Sequence, residues 1–339
     1  MPSTSPVVRE PAAARAVADH RSPRMHSYSI FGGCLHSELE LPELRPANDG
    51  PADWTVRIAD GPPDPALAGE ALGEEEILTG ATLRLLRRTD GGYRLDYTDT
   101  GVFDVSSDGR AIVWHPGADS RVEFARTDLM GRVLSTSLHA AGALALHASG
   151  AAIDGRAVGF LAPKFFGKST LAIAMTYAGA QLITDDTFAV FPGTPPVCIP
   201  GVHSVRLRSQ SAAHFPRTKD SAPSEHSRGR VMDELPETML MRGRAPLAAL
   251  YILNPVPPEE ASAAVERTLL PATPATFAVL PHARMGGLFK AAEAVTNFDR
   301  VAAVVGATPV YALSVVRDLD RVGEVAAQIV AWHRHGAEG

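Results

Sequence analysis

Lys168, Ser169 and Thr170 follow a glycine and offer an ammonium group and two hydroxyl groups in succession. Residues 157–161 before them form a short apolar run typical of a buried strand, and residues 171–178 have the composition of a helix. Where a strand, a loop and a helix follow one another in this way, backbone amides and the helix N-terminus can face phosphate oxygens. The lysine then reaches the β- and γ-phosphates of a nucleotide, and the serine hydroxyl ligates Mg²⁺. We therefore expect a site for ATP and Mg²⁺ here.

The predicted nucleotide-binding residues run without a gap from the strand into the helix: Ala162, Pro163, Lys164, Phe165, Phe166, Gly167, Lys168, Ser169 and Thr170. Ala162 stands where such loops commonly have a glycine, and Phe165 and Phe166 stand where small residues usually let the backbone curl. A non-glycine residue in the left-handed region costs about 1–2 kcal/mol, which a nucleotide site can offset. For the motif alone, the alternative is that Ser169 or Thr170 merely caps a core helix.

Two adjacent carboxylates follow the next predicted strand. Gly179 predicts the end of the helix, residues 180–184 include a short apolar strand, and Asp185 and Asp186 lie at its C-terminal end, where α/β sheets bind ligands. One carboxylate can help to hold Mg²⁺, while the other accepts the proton of an attacking hydroxyl group. The alternative is an Asp-Asp turn that closes a strand. The neighbouring phosphate loop favours the functional interpretation.

Three segments at fixed spacing resemble the catalytic core of the HPr kinase/phosphorylase family. They are residues 146–150, residues 155–161 with the loop that follows, and residues 182–186. The sequence is more similar still to the HPr-kinase-like serine kinases that accompany peptide natural products, among them lasso-peptide precursor kinases. Residues 28–32 and 37–44 are also similar to the opening of the N-terminal domain in those kinases. The resemblance thus extends loosely over most of the chain.

The resemblance implies roles residue by residue. Lys168 matches the phosphate lysine, Ser169 the Mg²⁺ serine and Asp186 the proton acceptor. Asp185 matches its acidic neighbour, and its carboxylate chemistry makes it, with Ser169, the expected ligand of Mg²⁺. His147 matches the active-site histidine, although a lone histidine in an apolar run is more often a hydrogen-bonded core residue. The implied fold is α/β, with a P-loop-containing, HPr-kinase-like catalytic domain of the phosphoenolpyruvate carboxykinase type after a small β-rich domain.

The sequence before this core predicts two regions. Residues 1–26 are polar, interrupted by proline and aperiodic, which predicts a disordered leader. Residues 27–126 contain short alternating runs that are separated by Asp-Gly and Gly-Gly turn signals. We therefore expect a small antiparallel β-rich domain over this range.

Residues 127–339 are predicted to form the catalytic domain. Apolar residues at helical spacing over residues 127–146 lead into it, and an amphipathic helix over about 321–332 ends it. Apolar runs at residues 248–253 and 309–315 predict further strands. The polar, Pro-containing segment 216–237 indicates a loop that either closes on a substrate or simply connects elements.

Composition excludes several other classes of protein. The chain of 339 residues has a formal net charge of -6 and scattered basic residues, which disfavours a nucleic-acid partner. The absence of a signal-peptide core or a membrane-spanning stretch predicts a cytoplasmic protein with no membrane partner. Cys34 and Cys198 are too few and too far apart for a disulfide framework or a cysteine-rich zinc site. The sequence is compatible with a homo-oligomer.

Together these patterns predict an ATP-dependent kinase for a hydroxyl group. By resemblance the acceptor is a serine of a peptide or protein partner, with a ribosomal natural-product precursor as a candidate. Two alternatives stay open. One is a kinase for a small alcohol or a free amino acid, and the other is a nucleotide- or peptide-binding module that has kept the fold without catalysis.

Overall fold

The computed structural model describes residues 24–48, 50–77, 80–202, 205–215, 224–226, 230–233 and 235–334. The predicted disordered leader therefore lies outside the described residues except for residues 24–26, and the first strand already begins at His26. Much of the polar segment 216–237 also lies outside them. Both interpretations of that segment, a loop that closes on a substrate and a simple connection, stay predictions.

The first strands of the chain form one sheet. They are β1 (His26–Ile30), β2 (Gly33–Ser37), β3 (Arg45–Pro46), β4 (Trp54–Ile58), β5 (Ala71–Glu76), β6 (Thr82–Arg87), β7 (Tyr93–Tyr97), β8 (Gly101–Val105) and β9 (Ala111–His115). Their spatial order is β3-β1-β2-β4-β9-β8-β7-β6-β5. Successive side chains along these strands point to opposite faces of the sheet, and one face is buried. Examples are Leu83 and Leu85 on β6 and Phe103 and Val105 on β8.

The expectation of a purely antiparallel arrangement in this region is wrong. The pairs β2–β4 and β4–β9 are parallel. Both pairs join strands that are separated by long connections, and turn signals identify only strands that are joined by short turns. The Asp-Gly and Gly-Gly signals therefore mark the hairpins β6–β7 and β8–β9, whereas the sequence cannot predict the parallel pairs.

A helical segment connects this sheet to the rest of the chain. It consists of α1 (Val122–Asp128), a π-helical turn (Leu129–Val133) and α2 (Leu134–Ala140). Leu129, Val133 and Leu138 pack in the same apolar core as the first sheet. The helix predicted over residues 127–146 is too long at its C-terminal end, because Gly142 adopts the left-handed conformation that ends helices.

The remaining elements, in chain order, are β10 (Leu144–Ile153), β11 (Arg156–Leu161), α3 (Lys168–Tyr177), β12 (Gln181–Thr184), β13 (Thr187–Phe191), β14 (Val197–Ile199), β15 (Val205–Arg208), α4 (Ser209–Ala212), β16 (Ser224–His226), β17 (Arg230–Asp233), β18 (Ala245–Val256), β19 (Val265–Leu269), α5 (Ala272–Val279), α6 (Ala291–Ala307), β20 (Val310–Val316) and α7 (Val322–Arg334). The second large sheet has the order β11-β10-β13-β14-β18-β20-β19, and β12 also pairs with β10. Strands β15, β17 and β16 form a small third sheet. The expected α/β class is confirmed.

The second sheet closes on itself, because β11 pairs with β18 as well as with β10. Strands β11, β18 and β20 run parallel, so their C-terminal ends lie at the same edge. Helices α3 and α7 pack against this part of the sheet through an apolar core that includes Met175 and Ile329. These are the elements that position the candidate site.

Two glycines allow the tight packing near the closure. Gly150 on β10 faces Gly159 on β11, and the ring of Phe188 lies against both. A Cβ atom at Gly150 would stand 2.3 Å from the Phe188 ring. Both positions therefore need the absence of a side chain, whatever their backbone conformation.

Candidate active site

The phosphate-loop segment connects β11 to α3 with a sharply curved backbone. Phe165 has a φ angle of 76° and Gly167 one of 93°, both in the left-handed region. The loop therefore curls despite the phenylalanine, at a conformational cost of about 1–2 kcal/mol. Gly167 is the N-cap residue of α3, and Ser169 and Thr170 lie within its first turn. The alternative in which one of these hydroxyls caps the helix does not fit, since capping belongs to the residue before the first turn.

The N-terminus of α3 suits an anion. Its N-cap residue is a glycine, which has no side chain to accept hydrogen bonds from the first-turn amides. Lys168 is the first helical residue and is 7% exposed. Its ammonium group donates hydrogen bonds to the carbonyl oxygens of Ala162 at 2.7 Å and Pro163 at 3.2 Å. A positive group and helix amides thus lie together at the start of α3.

Burial lowers the pKa of Lys168, while the negative charges of Asp185 and Asp186 act in the opposite direction. Arg284 and Lys164 lower the pKa further through charge repulsion. The ammonium group therefore has little water around it, and the negative charges that act on it are those of the two carboxylates. An incoming anion would meet a poorly hydrated cation, which strengthens their attraction.

The pairing of β10 explains why distant residues converge here. His147 faces Thr187 of β13, and the next residue, Ala148, faces Leu161 of β11. The start of β13 therefore lies beside the end of β11. Asp186 precedes Thr187, and the phosphate-loop segment follows Leu161, so one point on β10 brings the carboxylates, the histidine and the loop together.

The two aspartates have different surroundings. Asp185 is only 7% exposed, and the Ser149 hydroxyl donates to its backbone oxygen at 3.0 Å and to its Oδ1 at 3.1 Å. The side chain of Asp186 is 54% exposed. Arg284 donates to Asp186 Oδ2, and His147 Nδ1 lies 3.3 Å from Asp186 Oδ1 without the geometry of a hydrogen bond. One carboxylate is held inside the protein, and its neighbour is accessible.

Arg284 and His282 are site residues that the sequence did not predict. The Arg284 amide donates to the Ala145 carbonyl at 2.9 Å, and its guanidinium donates to Thr187 Oγ1, also at 2.9 Å. A single bridge between Leu146 and Ala283 brings this segment to β10. The contact between Arg284 and Asp186 spans about a hundred residues of sequence. Because no local motif accompanies it, only the fold identifies these residues.

His282 belongs to the same electrostatic environment as Lys168. Burial lowers the pKa of His282 to about 4, and the positive charge of Lys168 contributes. Its imidazole is therefore neutral at pH 7. A neutral ring can donate or accept a hydrogen bond there without adding a further positive charge.

A cavity of about 800 Å³ opens beside the phosphate-loop segment. Phe165, Phe166, Lys168 and Ser169 line it on one side. The ends of β18 and β20, the segment 317–320 and the region of α4 complete its walls. Lys168 thus faces both this cavity and the charges of Asp185 and Asp186.

The residues present fit Mg²⁺ by their chemistry. Within the described ranges, no group of three or more His, Cys, Asp or Glu side chains is arranged to hold a metal ion. Mg²⁺ at nucleotide sites, however, needs only one or two carboxylates, with phosphate oxygens and water as the other ligands. Asp185 and Ser169 supply a carboxylate and a hydroxyl near Lys168, and both are the hard oxygen donors that this ion prefers.

None of the helices in the described part of the chain combines the length and the apolar composition that crossing a membrane would require.

Comparison with known proteins adds little to this geometry. No protein-family model matches the chain, and no curated protein matches it. Among solved structures, the chain is similar to the Hpr(Ser) kinase/phosphatase from Coxiella burnetii, with 13% sequence identity and a TM-score of 0.31 over 57% of this chain and 99% of that one. Such a low score does not establish a common fold. The function must be inferred from the site itself.

Proposed function

We propose that this protein is an ATP-dependent kinase of the HPr-kinase-like type, which phosphorylates a hydroxyl group of a peptide or protein. The observation that carries the proposal is the register of β10, which brings a buried lysine, two aspartates and a histidine to one end of the second sheet. Phosphoryl transfer requires a group that binds the donor phosphates and a group that accepts the proton of the attacking hydroxyl. The buried ammonium group of Lys168 and the exposed carboxylate of Asp186 support these two assignments.

Lys168 and the first turn of α3 bind the donor phosphates. The ammonium group exchanges its loop carbonyl partners for phosphate oxygens and neutralises the charge that develops on the transferred group. Its low exposure supports this role, since charge stabilisation is strongest where water is excluded. No change of the α3 backbone is needed, because the first-turn amides already lie at the N-terminus of the helix.

Ser169 and Asp185 are the residues that would hold Mg²⁺. When bound, the ion supplies positive charge to the phosphate oxygens. The hydrogen bonds from Ser149 support this role for Asp185, because they fix the carboxylate before any ligand arrives.

Asp186 accepts the proton of the acceptor hydroxyl. Its exposure supports this assignment, since a substrate group can reach its oxygens. Arg284 orients the carboxylate through Oδ2 and leaves Oδ1 on the side of His147. His147 then positions the carboxylate through its buried Nδ1 atom, which lies 3.3 Å from Oδ1.

A serine of a peptide or protein is the proposed acceptor, and a ribosomal natural-product precursor is the specific candidate. The open position of Asp186 supports a large acceptor, because a carboxylate at the surface can be reached by a chain that does not enter a cavity. A small alcohol or a free amino acid remains the competing acceptor, and a binding module without catalysis is the competing function.

The proposal is tested by two measurements on the full chain. Titration calorimetry with ATP and Mg²⁺ should show saturable binding that is weaker without Mg²⁺. Intact-mass spectrometry of serine peptides, each with an alanine counterpart, should show phosphorylation of the serine form alone. Transfer to free serine but to none of the peptides would favour the small-molecule kinase, and binding without any transfer would favour the binding module. If the parent protein binds no nucleotide, the proposed function is wrong.

Asp185→Asn and Asp186→Asn should fail in different ways. The Asp185 variant should need more Mg²⁺ to reach the same rate, because it loses a metal ligand. The Asp186 variant should bind ATP and Mg²⁺ as the parent does and lose transfer, because only the proton acceptor is missing. An identical Mg²⁺ requirement in the parent and the Asp185 variant would contradict the division of roles.

A further inference from the structure

We infer that Phe165 and Phe166 are specificity-determining residues that hold the nucleobase of the phosphoryl donor by stacking, an inference that rests on the proposed nucleotide-dependent function. Both rings lie on the phosphate-loop segment and line the cavity beside it. They occupy positions at which small residues are usual in phosphate loops. The ligand class is therefore a nucleoside triphosphate that is recognised through the flat face of its base.

The conformation of Phe165 is the first observation. Its φ angle of 76° places a bulky residue in the left-handed region, which residues other than glycine, asparagine and aspartate rarely adopt. Its side chain is 64% exposed, so the ring recovers little of this cost by burial within the protein. A strained residue whose side chain is presented to solvent is a typical feature of ligand-binding sites. A glycine at this position would remove the strain.

Phe166 extends the same surface. Its side chain is 43% exposed, and it lines the cavity next to Phe165. Two large apolar rings in succession on a surface loop expose more apolar area than an isolated residue does, and such area commonly marks a binding site. The cavity volume of about 800 Å³ lies within the range of small-molecule and cofactor sites.

The cavity lining also carries charged groups that suit the phosphates and the ribose of a nucleotide. Lys168 and the first turn of α3 belong to the lining, and so do Arg317, Asp318 and Asp320. Phosphates are attracted by Lys168 and by the N-terminus of α3. Carboxylates such as Asp318 and Asp320 can accept hydrogen bonds from ribose hydroxyls.

The apolar part of the lining suits the base. Leu253 and Pro255 at the end of β18, Val315 on β20 and Leu319 line the cavity together with the two phenylalanines. A planar base is a suitable occupant for such a space, because its faces are apolar and its edges can reach the polar groups of Gln210 and Ser211. Neither Asp185 nor Asp186 lines the cavity, so the acceptor approaches Lys168 from elsewhere.

Stacking has a distinct signature in ligand preference. Every base has a π face, so we expect ATP and GTP to bind with similar affinity and CTP, with its smaller ring, to bind more weakly. Losing one stacked aromatic side chain should reduce ATP affinity about 5- to 150-fold. Inorganic tripolyphosphate, which has no base, should lose nothing.

The experiment compares Phe165→Ala, Phe166→Ala and Phe165→Tyr with the parent by titration calorimetry, using ATP, CTP and tripolyphosphate as ligands. Phe277→Ala is the matched control, because Phe277 is a comparably exposed phenylalanine on α5 that does not line the cavity. We expect the alanine variants to lose ATP affinity and the preference of ATP over CTP. Phe165→Tyr, which keeps the ring, and the control should retain both. Unchanged thermal unfolding would show that the variants are folded.

Phe165→Gly provides a second variant, which relaxes the backbone while it removes the ring. A higher unfolding temperature together with weaker ATP binding is the expected result. Full ATP affinity in both the alanine and the glycine variant of Phe165 would overturn the inference and leave the kinase proposal standing. Equal losses for ATP and tripolyphosphate would also overturn it, because the rings would then act on the loop shape. If the parent binds neither ligand, the proposed function fails and the inference fails with it.

Discussion

Each of the two large sheets contains a group of buried charges, and the two groups differ in what satisfies them. In the first sheet, Arg94 on β7 faces Asp104 on β8, and the guanidinium donates to both carboxylate oxygens at 2.7 and 2.8 Å. Both side chains are buried, and Arg88 adds a second cation 3.4 Å from Asp104. In the second sheet, the cation Lys168 is held by loop carbonyls instead, and the carboxylate of Asp186 is largely exposed.

The difference separates a structural ion pair from the cluster that we propose to be reactive. A bidentate pair between adjacent strands uses the hydrogen-bonding capacity of both partners, so a ligand could enter only by breaking it. A lysine that is bonded to carbonyl oxygens can exchange them for an anion of higher charge. Buried charge alone therefore does not identify a site. The informative feature is a charged group whose hydrogen bonds within the protein are weaker than those it would form with a ligand.

Asp186→Asn should have the largest effect on the second group. Loss of a positioned general base lowers the rate of transfer by about 10²–10⁴-fold, while the asparagine keeps the size of the side chain. Single-turnover phosphorylation, followed by intact mass, measures this rate. Asp154→Asn is the control, because Asp154 is an exposed carboxylate in the turn between β10 and β11, paired with Arg334. Equal rates for the two variants would remove Asp186 from the mechanism.

Asp104→Ala, in the first sheet, should lower the stability of the protein and leave its ATP binding unchanged. Removing one partner of a buried ion pair typically costs about 3–5 kcal/mol of unfolding free energy, and ATP affinity of the folded fraction should not change. Urea denaturation followed by circular dichroism measures the cost. Glu74→Ala, which breaks the exposed pair with Arg84, should cost less than about 1 kcal/mol. Similar costs for the two variants would mean that the buried pair has no special structural role.

Lys168→Met should lower activity without lowering stability. The methionine has a similar length and no charge, so transfer should fall by about 10²–10³-fold through the loss of one electrostatic contact to the transition state. Unfolding free energy should stay equal or rise, because a desolvated cation is removed. Lys164→Met, at an exposed position of the same loop, is the control. A marked loss of stability in the Lys168 variant would assign the lysine to the fold.

The pH dependence of stability should show a smaller effect from His139, which lies between the two sheets. Arg300 donates to His139 Nδ1 at 2.9 Å, and His139 Nε2 lies 3.1 Å from Glu293, which also binds Arg87 and Tyr93. Burial lowers the pKa of His139 to about 4, and the charge of Arg300 contributes. Nδ1 must be unprotonated to accept the bond from Arg300.

The sign of the His139 effect follows from proton binding. Between pH 6.5 and about 4 the unfolded chain binds a proton at this histidine and the folded protein does not, so unfolding free energy falls as the pH is lowered. The slope contributed by one such group approaches about 1.4 kcal/mol per pH unit. Urea denaturation at several pH values should give a shallower slope for His139→Gln than for the parent. An unchanged slope would mean that His139 is protonated in the folded protein.

The sequence predicted the elements around the phosphate loop because their signals are local. The expected strand at 157–161 is β11, the expected helix at 171–178 overlaps α3, and Asp185 follows β12 directly. The strands expected at 248–253 and 309–315 are β18 and β20. In each case an apolar run is bounded by residues that end it. The roles of these site residues stay predictions until the variants are measured.

The parts that the sequence did not predict depend on pairing between distant segments. The parallel pairs β2–β4 and β4–β9 have no turn signal, and Arg284 reaches Asp186 only because residues 283–284 lie beside β10. A guanidinium in a segment without a motif resembles any surface arginine. Such residues can be recognised only after the strand order is known.

The divided pairing of β10 also has a consequence for dynamics. This strand bonds to β13 through residues 144–147 and to β11 through residues 148–153, so the backbone around His147 is fixed by neighbours in two directions. We therefore expect amide hydrogen exchange there to require opening of the sheet rather than fraying of a loop. In the proposed reaction, the ordering entropy of these residues would be lost during folding and not again in each turnover, so we expect the activation entropy of transfer to reflect the substrates more than the protein.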